Sequence, residues 1–164
     1  YINIKDKGDI TLGLKGTKLA KFLTPGLGDD QKLKMINRVG KFNFNAHTHS
    51  LPENRINTFI NWNYEDYVFG LTSRYIDGYV NERAITGLGI IYGYENKIDS
   101  FLIHDLSLRK IFKVSSGELK LNIALINILD ESAPRLYDAP DFSFDTRVHD
   151  PRGRMLGINI EYRY

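Results

Sequence analysis

The 164-residue sequence contains no cysteine. A disulfide framework and a thiolate metal site are therefore excluded, and the absence fits an oxidising compartment in which stray thiols are a liability. No apolar run reaches the ~18–20 residues of a membrane-spanning helix, a criterion that is blind to membrane strands. Charge of one sign is also missing. The net charge of +2 argues neither for a nucleic-acid partner nor for a polybasic membrane anchor. No signal peptide is visible. Tyr1-Ile2-Asn3-Ile4-Lys5 already reads as a strand with no initiating Met, so the chain is expected to be a piece of something longer.

Period-two alternation is abundant, as are aromatics, with 10 Tyr, 9 Phe and 1 Trp. Ile2 and Ile4 share a face of a partial first strand, followed by the polar turn Asp6-Lys7-Gly8-Asp9. Ile10, Leu12 and Leu14 alternate with Thr11, Gly13 and Lys15 in a second strand running to about Phe22. A third strand, Glu53 to Tyr64, sets Ile56, Ile60, Trp62 and Tyr64 against Arg55, Asn57, Asn61 and Asn63, with Phe59 as the exception. After the turn at Glu65-Asp66, Tyr67, Phe69, Leu71 and Tyr75 oppose Gly70, Thr72 and Arg74. A fifth strand over Lys97–Lys113 sets Leu102, Leu106, Leu108 and Phe112 against Asp105, Ser107 and Arg109, with Phe101 and Ile103 blurring the pattern. Beyond Ser115-Ser116-Gly117, a sixth strand places Leu119, Leu121, Ile123, Leu125 and Leu129 opposite Lys120 and Asn122. In the last strand, Gly153–Tyr164, Ile158, Ile160, Tyr162 and Tyr164 alternate with Asn159, Glu161 and Arg163.

The connections alternate in length. Short turns near Lys7, Glu65 and Ser116 separate long loops at about 23–52, 81–96 and 130–152. Outer-membrane barrels have short periplasmic turns and longer extracellular loops, with Trp and Tyr at the edges of the apolar band. The pattern therefore predicts an all-β, antiparallel transmembrane β-barrel segment occupying the whole of 1–164, its C-terminus periplasmic. The alternative is a soluble antiparallel sandwich or barrel, a class of domain that buries its apolar face against a second sheet. Six full strands and one partial one do not close. Unpaired backbone groups in lipid cost several kcal/mol each, so further strands are expected upstream or from other chains.

Four stretches carry a family resemblance: Leu51-Pro52-Glu53-Asn54-Arg55 with Ile60-Asn61-Trp62; Lys97-Ile98-Asp99-Ser100 leading to Asp105-Leu106-Ser107-Leu108; Asn122-Ile123 through Asn127-Ile128-Leu129-Asp130; and Asp150-Pro151-Arg152-Gly153-Arg154 before the last strand. In order and spacing they resemble the C-terminal barrel segment of TonB-dependent receptors of Gram-negative bacteria. The family most often ends in Phe where this chain has Tyr164. The resemblance implies a wall of about 22 strands around a plug, of which this chain supplies the last ~7 strands and no plug. It implies an outer-membrane receptor and active transporter for a scarce solute (siderophore, cobalamin, glycan or peptide), energised by the TonB complex through a region absent here. Partners are then outer-membrane lipid, small-molecule or oligomeric cargo, and the barrel assembly machinery, for which Ile158, Ile160, Tyr162 and Tyr164 would form the signal. The alternatives are a passive porin or small structural barrel completed by other chains, and more remotely a barrel enzyme.

The candidate side chains with most to do are polar ones on the inner phase. Arg55, Asn57, Asn61, Arg74, Asp105, Arg109, Lys120 and Asn122, with Lys15 and Glu161, would line the lumen and meet a plug. His47-Thr48-His49 offers two imidazoles but no third ligand, and a solvated loop is the simpler reading. His104 lies on the apolar phase, as an interfacial His would. The acids Asp130, Glu131, Asp138, Asp141, Asp145 and Asp150 lack a calcium-loop spacing. Gly87-Leu88-Gly89 with Gly93 lacks the dinucleotide spacing. Ser and Asp residues near His104 and His149 come without a nucleophile motif. No catalytic residue, cofactor or metal is expected.

Overall fold

The computed structural model describes residues 2–4, 6–27, 32–43, 49–82, 93, 95–136 and 143–164. In chain order its strands are β1 (Ile2–Asn3), β2 (Asp9–Lys18), β3 (Leu23–Leu27), β4 (Leu33–Asn37), β5 (Asn54–Tyr64), β6 (Tyr67–Ile76), β7 (Tyr79–Val80), β8 (Lys97–Ile98), β9 (Phe101–Val114), β10 (Gly117–Ile126) and β11 (Met155–Arg163). No α-helix occurs among the described residues. Seven strands form one antiparallel sheet in the order β1-β2-β5-β6-β9-β10-β11. Each is hydrogen-bonded to the next in chain order, an up-and-down meander. The sheet is open, with β1 and β11 at its edges. Two small hairpins, β3-β4 and β7-β8, stand apart from it.

Side chains in register share a face, so the pairing turns the period-two pattern into rows across the sheet. One row runs Ile10, Trp62, Phe69, Leu108, Ile123, Ile158. The next runs Leu12, Ile60, Leu71, Leu106, Leu125, Leu156. Much of these rows lies open: Leu156 is 65% and Ile158 62% exposed. Near the short turns the same face gathers aromatics. Trp62 stacks on Phe69 at 5.3 Å and on Tyr64 at 5.8 Å, and Lys110 Nζ sits 4.2 Å over the Tyr67 ring. Trp62 Nε1 donates to the carbonyl of Lys7 at 2.8 Å, tying this cluster to the first turn.

That turn closes with Lys7 N to Ile4 O at 2.8 Å and Ile4 N to Gly8 O at 2.9 Å. Gly8 sits at φ +86°, where a Cβ would strike the carbonyl of Asn63. Phe59, the apolar exception on the polar phase, is paired with Gly13. A side chain on Gly13 would overlap its ring, so the Phe fills the space its neighbour leaves empty.

Several sequence boundaries need correcting. The second strand stops at Lys18 rather than Phe22, and the connection 23–52 contains the β3-β4 hairpin. The fourth strand stops at Ile76, before the separate β7. The fifth breaks at Asp99-Ser100 into β8 and β9. The sixth ends at Ile126, not Leu129, because Asn127 and Asp130 both take positive φ, +52° and +59°. The last strand begins at Met155, not Gly153.

The buried hydrophobic core lies beyond the long-loop end of the sheet. Phe42, Tyr79, Ile98 and Leu136 form it, with Val148 packed against them. Leu136 is 1% and Ile98 2% exposed. Phe101 and Ile103 are buried too, at the long-loop end of β9. They fall on the polar phase because that end of the polar face is covered rather than open.

Candidate functional site: the polar face and its loop core

The polar face is built from the intervening rows. Thr11, Asn61, Gly70, Ser107, Ala124 and Gly157 form one row, small or neutral throughout. Asn63, Val68, Arg109, Asn122 and Asn159 form the next. Between them lies a hollow of about 660 Å³ floored by Thr11, Asn61, Ser107 and Asn122. Asn122 Nδ2 donates to Asn159 Oδ1 at 3.2 Å.

All eight lumen candidates occupy this face by register. Lys15, Asn57, Arg74 and Ile103 share a row, while Lys120 is opposite Glu161. Arg74 and Asp105 meet, with Nη2 to Oδ2 at 2.7 Å. Arg55 lies at the long-loop end, close enough to His149 and Tyr79 for its charge to act on both.

At the same end the two motifs of the β10 exit and the β11 entry are stitched together. Asp105 Oδ1 accepts from Asn127 N at 2.9 Å. Asn127 bonds Glu131 with both ends of its amide, Oδ1 from the N–H and Nδ2 to the carbonyl, each at 2.9 Å. Asp130 Oδ1 accepts from Arg154 N at 2.7 Å. Arg152 clamps Asp150 with Nη2 to Oδ2 at 2.7 Å, holding that carboxyl down at a pKa of about 2. Asn127 and Asp130 are thus turn formers whose side chains also satisfy the backbone groups that the turn exposes.

Above this lies a buried polar cluster drawn from separate connections. The Ser50 hydroxyl donates to Asp145 Oδ2, and Arg147 N donates to Asp145 Oδ1 at 3.0 Å. The Tyr79 hydroxyl meets His149 Nε2 at 3.2 Å, and the two rings stack at 5.9 Å. Phe101 stands edge-on to the imidazole at 5.3 Å. His149 is 2% exposed and its Nδ1 has no partner. Burial, with a smaller contribution from Arg55, lowers its pKa to about 4 against the pull of Asp145. Burial and Asp145 push the Tyr79 phenol up. The imidazole is neutral at pH 7. The Ser50 hydroxyl bonds the carboxylate rather than the imidazole, so the order of a Ser–His–Asp relay is not present.

The remaining sequence candidates are scattered. His49 Nδ1 faces Arg147 Nη1, a cation where a metal would need a ligand. His104 Nδ1 bonds Ser73 Oγ at 2.7 Å on the apolar face. Among the described residues no group of three or more His, Asp or Glu could hold a metal ion. Ile158, Ile160 and Tyr162 stand exposed on edge strand β11 with Tyr164 after it, and the Tyr162 hydroxyl meets Ser116 Oγ at 2.7 Å. Tyr1, Asp29, Asp30, His47, Gly87, Gly89, Asp138 and Asp141 lie outside the described residues.

Sequence reasoning missed the cluster of Ser50, Tyr79, Asp145 and His149. Its only local signal was the blurred phase of Phe101 and Ile103, two apolar side chains where polar ones were due. An open, antiparallel seven-stranded sheet with one exposed apolar face is the class of structure defined here. No family model, no curated protein and no solved structure matches the chain.

Proposed function

We propose that this chain forms part of the wall of an outer-membrane β-barrel, within a receptor and active transporter of the TonB-dependent type. The carrying observation is the apolar face: two unbroken rows of large hydrophobic side chains cross the sheet. Among the described residues no second sheet packs on them. In water such a patch is a liability, whereas in a bilayer it is the required surface. From Leu102 to Phe112 the apolar phase of β9 covers about 33 Å of strand, which at a tilt of about 40° is close to the ~25 Å apolar band of such barrels. The aromatic cluster of Trp62, Tyr64, Tyr67 and Phe69 would sit at the periplasmic boundary. The opposite face, with its Arg74–Asp105 pair and carboxamide rows, would face the lumen and a plug.

On this reading the loop core is extracellular and contributes to cargo capture, and inner-membrane energy relayed by TonB drives release inward. The support for the receptor over a passive pore is the resemblance of the four motifs, two of which meet in the stitched β10–β11 junction. The protein carrying this chain should fractionate with the outer membrane and migrate anomalously in gels unless heated. In planar bilayers it should give no steady conductance, since the lumen is plugged. Stable open channels would establish the passive pore instead, and recovery as a folded soluble protein would overturn the membrane reading.

A further inference from the structure

The connection between β7 and β9 and the connection between β10 and β11 meet around a polar hollow of about 360 Å³. Gly93, Glu95, Lys97, Asp99, Pro134 and Arg135 line it. Each wall is pinned by one residue of the loop core. On one wall, Ile98 of β8 is 2% exposed and packs in that core, so its neighbours Lys97 and Asp99 are turned the other way and are exposed. Glu95, two residues before Lys97, is exposed as well. On the other wall, Leu136 is 1% exposed in the same core. Its N–H donates to the carbonyl of Ser143 at 2.8 Å, which fixes the backbone next to Arg135. The charged side chains are thereby carried on backbone that the core holds in place.

Both signs of charge face the hollow. Among the described residues, Glu95, Lys97, Asp99 and Arg135 form no ion pair and no side-chain hydrogen bond. Exposed ion pairs contribute little, so the four groups lose little by standing apart and can meet a ligand instead. A simple anion would be drawn to Lys97 and Arg135 but repelled by Glu95 and Asp99, and a simple cation the reverse. A molecule that brings both charges matches all four. A carboxylate on the Arg135 guanidinium gains a two-pronged, charge-assisted contact. An ammonium group has three N–H donors for the carboxylates of Glu95 and Asp99. Alternate positions on an extended chain are ~7 Å apart, and two residues of an extended peptide span about the same distance. Ligand sites run from about 300 to 1,000 Å³, so a hollow of about 360 Å³ holds a small molecule rather than an oligomer.

We infer that this hollow binds a small zwitterion, a free amino acid or short peptide, with its carboxylate on Arg135 and Lys97 and its ammonium on Glu95 and Asp99. Its role in capturing cargo rests on the receptor reading above, whereas the binding itself does not. The protein carrying this chain is solubilised in a nonionic maltoside, because a zwitterionic detergent would present the same two charges. Titration calorimetry then compares L-alanine, L-alanyl-L-alanine, the N-acetyl dipeptide and the dipeptide amide. At least one of the two unblocked compounds is expected to bind, and blocking either end of the dipeptide to weaken its binding by about tenfold or more. Arg135→Gln should cost the unblocked ligand about tenfold and leave the amide unchanged, with partial recovery in Arg135→Lys. Glu95→Gln combined with Asp99→Asn should act on the ammonium end alone and leave the N-acetyl form unchanged. All of these side chains are exposed, so the variants should keep the parent fold. Equal binding of blocked and unblocked ligands overturns the inference, as does indifference to both sets of substitutions or no binding of either unblocked compound. A protein that binds the zwitterion but stays out of lipid vesicles would keep the site and sink the membrane reading. One that inserts into vesicles without binding would do the reverse.

Discussion

The sheet and the loop core use hydrophobic side chains in opposite ways. On the sheet, Leu12, Leu106, Ile158 and Ile160 are exposed. In the loop core, Leu136 and Ile98 are closed off almost completely, and polar groups such as Asp145, Asn127 and His149 are buried beside them. A water-soluble domain has its largest hydrophobic store between its layers. Here much of that store is on an outer surface, and among the described residues the buried hydrophobic cluster is a small one at the long-loop end. On the membrane reading proposed above, the two regions would meet two media: an apolar one beside the strands and water around the loops. The difference teaches that the loop core is held by packing and polar satisfaction, whereas the sheet's apolar face depends on what covers it, which on the proposed reading is lipid.

The comparison breaks first at Leu136. Leu136→Ala empties a fully enclosed site and is expected to cost about 2–5 kcal/mol locally. Hydrogen exchange should show lost protection at residues 38–43, 79–82 and 143–149, with the β9–β10 ladder unchanged. Loss across the whole sheet would show that the two regions are one cooperative unit. Second, Leu106→Arg places a charge in the middle of the apolar face and should destabilise the folded protein in lipid by about 2–4 kcal/mol. A silent outcome in an equilibrium folding titration would mean that this face does not meet hydrocarbon.

Acid offers a third test, aimed at the loops alone. His149 is held neutral, with its pKa lowered to about 4 from an ordinary value of 6.5. The unfolded loops therefore bind a proton that the folded ones do not between those values. Loop stability is complete above about pH 6.5 and falls as pH drops toward 4, by about 3 kcal/mol in total. The fluorescence or exchange of the loop core should show that loss, and His149→Phe should flatten the pH profile. A profile unchanged by the substitution would assign the acid sensitivity elsewhere. The smallest expected effect is at the junction of the regions. Asn127→Ala leaves Glu131 N without its acceptor and asks Ala to hold a positive φ, costing about 1–3 kcal/mol. Asn127→Gly should restore the backbone share of that loss and not the hydrogen-bond share, which a stability series can resolve.

Much of the sheet was legible because alternation is a local property. Tyr67, Phe69 and Leu71 state their face within five residues, and the turns at Asp6-Lys7-Gly8-Asp9 and Glu65-Asp66 declare themselves by composition. Strand ends were less legible. Nothing in Leu125-Ile126-Asn127-Ile128-Leu129 marks Ile126 as the last strand residue except Asn127, whose positive φ follows from what its side chain can bond around it. The β3-β4 hairpin escaped notice because Pro25 and Gly26 read as strand breakers, whereas a two-stranded ribbon needs only one side of each strand to be paired.

By itself, then, the sequence determined the number of long strands, their two faces and the placement of the short turns, since each depends on neighbours within a few positions. The tertiary structure alone decided that Arg74 meets Asp105 rather than Lys15, that Phe101 and Ile103 are covered, and that Ser50, Tyr79, Asp145 and His149 converge. Ser50, Asp145 and His149 come from connections far apart in the chain, where no periodicity operates, and Arg74 and Asp105 from separate strands whose register no local pattern states. Their meeting is set by the requirement that buried polar atoms find partners once the connections fold over the end of the sheet.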